Sequence, residues 1–416
     1  AELLGRLAGD RALLAATFGG VADAGQVVRV TPGLSDPHGR GRTVCFVHFD
    51  SGLEVVYKPR AVGIERSYAA LVAWLDGRGL QPPLRAAGTL ERGDYGWAER
   101  IHPTPCADAT SARDFYRRAG ALVCLMDVLG AVDLHYGNLV ACGADPVPVD
   151  LETLFHPGPA RDSTDADPEA AGSVLRTGLL PHWIPAADDR SYDVSGLGAV
   201  SPRTTTLPRL AWRDADTDVM ELEVEPTPIP RLANGPTLAG RELSPADFRS
   251  EIISGFASAY RLLASHASDL ATADGPLADM QGRRTRVLFR HTVTYRRWME
   301  ESLAPECLRN GALRRTRMQA RLASPTRVDA ARDAWLRSAE LEALLRLDVP
   351  HFSTRPGEVF LEEAGGERID DWFERPRLDS VAEHLARMDE ADLERRLQIL
   401  AATLDLSRLE RLMHRG

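Results

Sequence analysis

Lysine is almost absent from this chain: of its 50 Lys and Arg residues, only Lys58, in VVYKPR, is a lysine. Arginine presents a wide planar fork and lysine a compact charge on a thin stem. A single lysine against that background is either a survivor on a surface strand or the mark of a site where the fork does not fit. Long apolar runs are also lacking. No stretch reaches the roughly 18 apolar residues that a membrane-spanning helix needs. The opening AELLGRLAGDRALLAATF lacks the basic start and long apolar stretch of a signal peptide and reads as an amphipathic helix. It also lacks an initiating Met, as expected of a processed or excised piece of something larger. The five cysteines stand singly, with no CxxC and no zinc-ligand spacing, which fits a reducing cytoplasm. Positive charge is in deficit, with a net charge of −10, so gripping a nucleic acid along a basic groove is disfavoured.

What remains is a globular composition over 416 residues, enough for a two-lobed enzyme or two to three packed units. The β-branched runs 43–49 (TVCFVHF) and 53–58 (LEVVYK) flank Asp50-Ser51-Gly52 and predict a hairpin. Residues 66–77 predict a helix, and 84–89 and 96–101 two further strands. Residues 110–130 predict a long helix capped by Thr110 or Ser111. It leads into AVDLHYGN, then two short β segments around a turn at Gly143–Pro146. Residues 156–235, rich in Pro, Asp, Gly and Thr, predict long irregular structure. Helices follow from Ser244 and over 292–303, 326–346 and 379–414.

The chemistry-bearing set is Asp133-Leu-His135-Tyr-Gly-Asn138, with Asp150-Leu-Glu152 beginning twelve residues after Asn138. Phosphoryl transfer from ATP needs a carboxylate to align the acceptor hydroxyl, oxygen ligands for magnesium and a cation on the phosphates. A helix precedes this set, a β segment separates Asn138 from Asp150, and a strand upstream carries Lys58. Singly, an Asp or Asn after a helix is usually a cap or turn former; the ordered set fits a kinase-like site. Asp36 and His38 lie in a glycine-bearing loop before the hairpin, positioned to fold over phosphates, and Arg40 and Arg42 on it can pair with phosphate oxygens. Arg286 and Thr292 lie in a cluster with Arg283, Arg284, Arg290, Arg296 and Arg297. That cluster reads either as a solvated basic face or as an anion site for a phosphorylated or acidic peptide.

Together these segments resemble a known family. SDPH-x-x-GR at 35–42, VYKPR at 56–60, FYRRAGAL at 115–122, DLHYGN at 133–138 and VDLET at 149–153 look like the dehydratase domain of class II (LanM-type) lanthipeptide synthetases. YDVSGLGAV at 192–200, TRVLFRHT-x-x-Y at 285–295, VPHF at 349–352 and the closing LARMDEADLERRLQI extend the likeness along nearly the whole chain. The resemblance implies an α+β, two-lobed, lipid-kinase-like fold with a small β-rich N-lobe and a larger, mainly helical C-lobe. The expected division is a residual helical segment at 1–24, an N-lobe at 25–105, a C-lobe at 106–360 with an activation-type region at 156–235, and C-terminal helices at 361–416.

It implies a cytoplasmic enzyme that phosphorylates Ser and Thr of a ribosomal precursor peptide, leader plus Ser/Thr-rich core, with ATP and Mg²⁺. Elimination of the phosphate then gives dehydroalanine and dehydrobutyrine. Carried over by motif, Lys58 contacts ATP phosphates, Asp133 and His135 serve phosphoryl transfer, Asn138 and Asp150 bind metal with Glu152 beside them, and Asp36, His38, Arg286 and Thr292 match positions associated with elimination. The elimination base stays open among His38, Asp36 and Lys58. Nothing resembles the family's zinc cyclase, so ring closure is left to another domain or protein. A kinase without lyase activity, or a catalytically silent peptide-binding module, are the competing readings.

Overall fold

A computed structural model describes residues 1–21, 23–157, 173–185, 191–198, 206–215, 217–228, 233–323 and 329–413. The fold is mixed α and β, helix-rich, with several small antiparallel sheets. The first unit is a five-stranded antiparallel sheet of β1 (Val27–Thr31), β2 (Cys45–Phe49), β3 (Glu54–Lys58), β4 (Thr89–Glu91) and β5 (Gly96–Glu99), in the order β1-β2-β3-β5-β4. The expected hairpin is β2–β3, with Cys45 opposite Tyr57 and His48 opposite Glu54.

Alternation sends Cys45, Val47, Phe49, Val55 and Tyr57 to one face, where they pack with Trp97 against α1 (Glu2–Leu14) through Leu7 and Leu14. The amphipathic opening is thus part of this unit's core. Its buried Asp10 accepts hydrogen bonds from Tyr95 Oη and Trp97 Nε1, both at 2.8 Å, and ion-pairs with Arg92. A buried carboxylate with this many partners ties helix to sheet directionally, as apolar contact alone does not.

The helix expected at 66–77 is α2 (Gly63–Asp76). The strand expected at 84–89 is displaced to Thr89–Glu91. Residues 84–88 are weak strand formers after Pro82-Pro83, and side chains hold them instead: Leu84 N–H donates to Asp76 at 3.3 Å and Gly88 N–H to Glu99 at 3.0 Å. The long helix is α3 (Ala109–Val128), but Asp108 caps it, with Ser111 completing a reciprocal capping box from N3. α3 is buried nearly throughout and crosses the helix Arg249–Ser265 at backbone contact. A Cβ on Gly120 would lie 1.9 Å from Ile252 O, and one on Gly255 1.8 Å from Arg117 O, so both crossing positions require glycine.

The DLHYGN segment follows α3 directly, then the hairpin of β6 (Leu139–Cys142) and β7 (Asp145–Pro148). The expected irregular region holds more order than composition implied: Trp183–Pro185 pairs with Ser191–Asp193, and Thr206–Arg213 with Glu221–Pro228 in an eight-pair ladder. Part of that expectation, 158–172 included, lies outside the described residues, as does the end of the YDVSGLGAV match. The helix expected at 326–346 runs from Ala330 to Leu345 behind an Asp329 cap. The one expected at 379–414 is two helices, Arg377–Ala386 and Glu390–Met413, with Asp389 accepting from Asp392 N–H at 2.7 Å to start the second. A last sheet pairs Thr285–Val287, Phe352–Thr354, Leu361–Glu363 and Arg368–Ile369 in that order. No helix among the described residues is long and apolar enough to cross a membrane.

Candidate functional site

Lys58 ends β3, and the short turn to α2 swings Glu65, in that helix's first turn, back beneath it. The Lys58 ammonium, 4 % exposed, donates to Glu65 Oε1 at 3.2 Å and to Val149 O at 2.7 Å. The strand survivor is therefore an internal residue joining sheet, helix and the segment before Asp150. Arg60, two residues on, reaches Glu65 at 2.7 Å, Asp150 at 2.5 Å and Glu152 at 2.8 Å. Beside them lies a small, largely apolar cavity whose lining includes Tyr68, Ala86, Ala87, Ala98 and Leu151, with Lys58 and Glu65 at its polar end.

The β6–β7 hairpin returns the chain so that Val149 N–H bonds Asn138 O at 3.0 Å, which places Asp150 beside the DLHYGN loop. Asn138 Nδ2 donates to Asp133 O at 2.8 Å, leaving its carbonyl oxygen uncommitted by that bond. Asp133 holds a left-handed φ of +64°, an uncommon conformation for a non-glycine residue. His135 Nδ1 accepts from Gly137 N–H at 2.9 Å, so the neutral ring carries its proton on Nε2, 4.0 Å from Asp133 Oδ1. The loop is braced from behind: Leu134 N–H bonds Thr177 O at 3.0 Å and Tyr136 N–H bonds Val194 O at 3.2 Å. A Cβ on Gly196 would stand 2.4 Å from Leu134 O, so this bracing segment needs glycine there.

The last sheet supplies the other half. Pairing of Thr285–Val287 with Phe352–Thr354 puts Arg286 opposite Ser353 and near His351. Arg286 N–H bonds Glu152 O at 2.6 Å, and its Nη1 bonds Glu152 Oε1 at 2.7 Å. Its buried Nε and Nη2 have no partner. The loop of His38 is clipped on by Asp348, which accepts from the N–H groups of Arg40 and Gly41, each at 2.7 Å, and by Val349 N–H on Pro37 O. His38 Nδ1 donates to Val349 O at 2.8 Å, leaving a lone pair on Nε2, and its ring meets His351 edge-on with centroids 5.4 Å apart.

Burial alone would raise the Glu152 carboxyl, but Arg60 and then Arg286 hold it well below the usual carboxylate range. Burial raises Asp133; Asp150 and Glu152 add to this, while His135 and Arg286 oppose it. Burial and then Arg286 lower His38, and the same two causes lower His351 to about 3. His351 therefore enters the fold neutral. The unfolded chain takes up a proton there near 6.5 and the folded chain only near 3, so stability is full above 6.5 and falls as pH drops through that window. The slope is at most about 1.4 kcal/mol per pH unit for one ring. Thermal melts between pH 7 and 5 should show this loss, and His351→Gln should flatten it; an unchanged slope would count against the assignment. Glu152, whose folded value is depressed, acts in a separate window below about 4.5.

Of the residues singled out by sequence, Lys58, Asp133, His135, Asn138, Asp150, Glu152, Arg286 and His38 come together. Four do not join directly. Arg42 pairs with Glu2 of α1 at 3.0 Å, Arg40 serves through its backbone, Asp36 faces Arg296 at 3.6 Å, and Thr292 opens the helix Thr292–Glu301. Both oxygens of Glu152 are on guanidinium groups, so it joins Arg60 to Arg286. No group of three or more His, Cys, Asp or Glu side chains among the described residues is disposed to hold a metal. Asn138 and Asp150 alone still suit Mg²⁺, which takes one or two protein oxygens and completes its shell with water and phosphate. Sequence reading missed Arg60, Glu65, His351 and Asp348. Arg60 and His351 stood inside quoted motifs; Glu65 and Asp348 carried no local signal.

This arrangement belongs to a family: the chain is a member of that described as a domain of unknown function, DUF4135, whose model matches residues 1–355. It is similar to the lacticin 481/lactococcin biosynthesis protein LcnDR2 of Lactococcus lactis subsp. lactis, with 26 % identity over 262 residues, 58 % of this chain and 28 % of that protein. The chain thus spans less than a third of the relative it matches.

Proposed function

We propose that this chain is the kinase-like dehydratase unit of a lanthipeptide synthetase, two-lobed, transferring phosphate from ATP to Ser and Thr of a precursor peptide and then eliminating it. The observation that carries this reading is the buried Lys58–Glu65 pair, set against Asp133, Asn138 and Asp150. A strand lysine paired with a glutamate of the next helix is the arrangement by which protein kinases hold ATP phosphates. A small, water-sized cavity lined by Ala86, Ala98 and Leu151 lies beside Lys58. Likeness to a lactococcin biosynthesis protein supports a peptide-modifying role.

Mg²⁺ bound by Asn138 and Asp150 would neutralise charge on the phosphates. Asp133, its carboxyl raised by burial, accepts the proton of the incoming hydroxyl, with His135 beside it. For elimination, His38 Nε2 takes the Cα proton, that electron pair forms the Cα=Cβ bond, and the Cβ–O bond breaks to release phosphate. Arg286 Nε and Nη2 receive the departing oxygens. Lys58 is a poor base here, because its ammonium already donates to Glu65 and Val149. A cyclase domain or protein would close the rings afterwards.

Incubation with a precursor peptide, ATP and Mg²⁺, followed by mass spectrometry, tests the reading. Loss of one water per modified site supports it; stable phosphopeptide leaves a kinase alone, and binding without turnover a silent module. Lys58→Arg should lose most dehydration, by about 100-fold, because Arg60 already fills the space around Glu65 and a second fork has no room. A fully active Lys58→Arg enzyme would remove the lysine's special status.

A further inference from the structure

The pairing of Thr285–Val287 with Phe352–Thr354 divides side chains between two faces. Val287 and Phe352 go to one, into the apolar cluster of Leu336, Leu361 and Trp372. Arg286 and Ser353 go to the other, and His351, two residues before Ser353, follows them as a diagonal neighbour of Arg286. The loop of His38 closes onto the same place, its ring edge-on to that of His351 with centroids 5.4 Å apart. One short segment holds both rings: Val349 O accepts from His38 Nδ1 at 2.8 Å, and Val349 N–H bonds Pro37 O at 2.8 Å. His38 thus offers a base and Arg286 two donors without partners, and the second ring stands beside both.

His351 keeps a donor to spare. Neither of its ring nitrogens is hydrogen-bonded among the described residues, and the ring is partly exposed. Burial and then Arg286 keep it neutral, against the pull of Glu152, so one nitrogen carries a proton and the other a lone pair. A neutral imidazole N–H is suited to polarising a carbonyl group.

Elimination creates a demand for such a donor. As His38 Nε2 takes the Cα proton, the C–H electron pair spreads onto the adjacent carbonyl oxygen. It then forms the Cα=Cβ bond, and phosphate leaves with the Cβ–O pair. Arg286 answers the charge on phosphate, not the charge on the carbonyl. The carbonyl carbon is bonded to Cα, so its oxygen lies close to the base, on the side of a neighbouring ring. We propose that His351 is a further catalytic residue, whose ring N–H donates to the carbonyl oxygen of the residue undergoing elimination and steadies the charge that builds there. This role rests on the dehydratase reading and deepens it.

Phosphate release from a synthetic phosphoserine peptide by the full chain tests it, with ATP-dependent phosphorylation of the unphosphorylated peptide followed in parallel. His351→Phe keeps a ring without a donor. Its kcat for release should fall by about 10²- to 10³-fold, as on losing one oxyanion donor, with KM little changed and phosphorylation kept. His351→Gln, which restores an N–H, should recover most of the release. With deuterium at Cα, release by His351→Phe should slow further, because proton removal has become the limiting step. Should His351→Phe fail to fold, His351→Leu carries the same expectations. Release at the parent rate without the donor, equal losses in His351→Phe and His351→Gln, loss of phosphorylation alongside release, or no isotope effect overturns the role of His351 and leaves the dehydratase reading standing. A parent chain that releases no phosphate from the phosphopeptide overturns that reading, and this role with it.

Discussion

Asp133→Ala is expected to leave precursor peptide unmodified, with phosphoryl transfer slowed by about 10²- to 10⁴-fold, the contribution of a positioned general base. Asp133 is held in three ways. Its backbone is in the left-handed region, Asn138 bonds its carbonyl oxygen at 2.8 Å, and burial lifts its carboxyl toward neutrality. Arg286→Gln should fail later, with phosphopeptide accumulating. Removing one preorganised donor to a developing oxyanion costs about 10²- to 10³-fold, and in the proposed elimination Arg286 offers two donors that have no partner. Mass spectrometry with peptide substrate, and phosphate release from synthetic phosphopeptide, separate the two steps. If both variants stop at unmodified peptide, the division between the Asp133 and Arg286 halves is wrong.

Glu152→Ala should be the most destabilising single change at the site. Among the described residues Glu152 is the only carboxylate that joins Arg60 to Arg286, at 2.8 and 2.7 Å. Its removal strands the buried Arg286 guanidinium, while Arg60 keeps Glu65 and Asp150; breaking a buried pair from one side costs about 3–5 kcal/mol. Against a typical total of about 5–15 kcal/mol this is a large share. Urea unfolding checks it, and a midpoint equal to or above that of the parent would refute the anchoring role. Asp150→Ala, partly exposed, paired with Arg60 and accepting from Glu152 N–H at 3.4 Å, should cost far less stability while removing the proposed metal-dependent activity.

Local pattern carried some elements and missed others for identifiable reasons. The β2–β3 hairpin was legible because alternation and the Asp-Ser-Gly turn are short-range signals. α3 was legible from its apolar length, yet its true cap is Asp108, since Asp108, Thr110 and Ser111 can each cap and the fold selects one. The strand at 84–89 was misplaced because β structure depends on a partner, and only Thr89–Glu91 finds β5. Glu65 was invisible as a site residue: one of many acids, it acquires its role only when the turn after β3 folds α2 beneath Lys58.

Sequence by itself determined the inventory: one lysine, a D-x-H-x-x-N loop after a helix, an acid pair twelve residues on, and an α+β chain carrying the motifs of a family. Tertiary structure decided which of these touch. Residues 286 and 351 meet because two distant strands pair, and Glu152 became an anchor because Arg60 and Arg286 converge on it from separate elements. Residue type and spacing encode what a side chain can do. Its charge state and its partner depend on burial and on contacts between remote segments, which no local pattern contains.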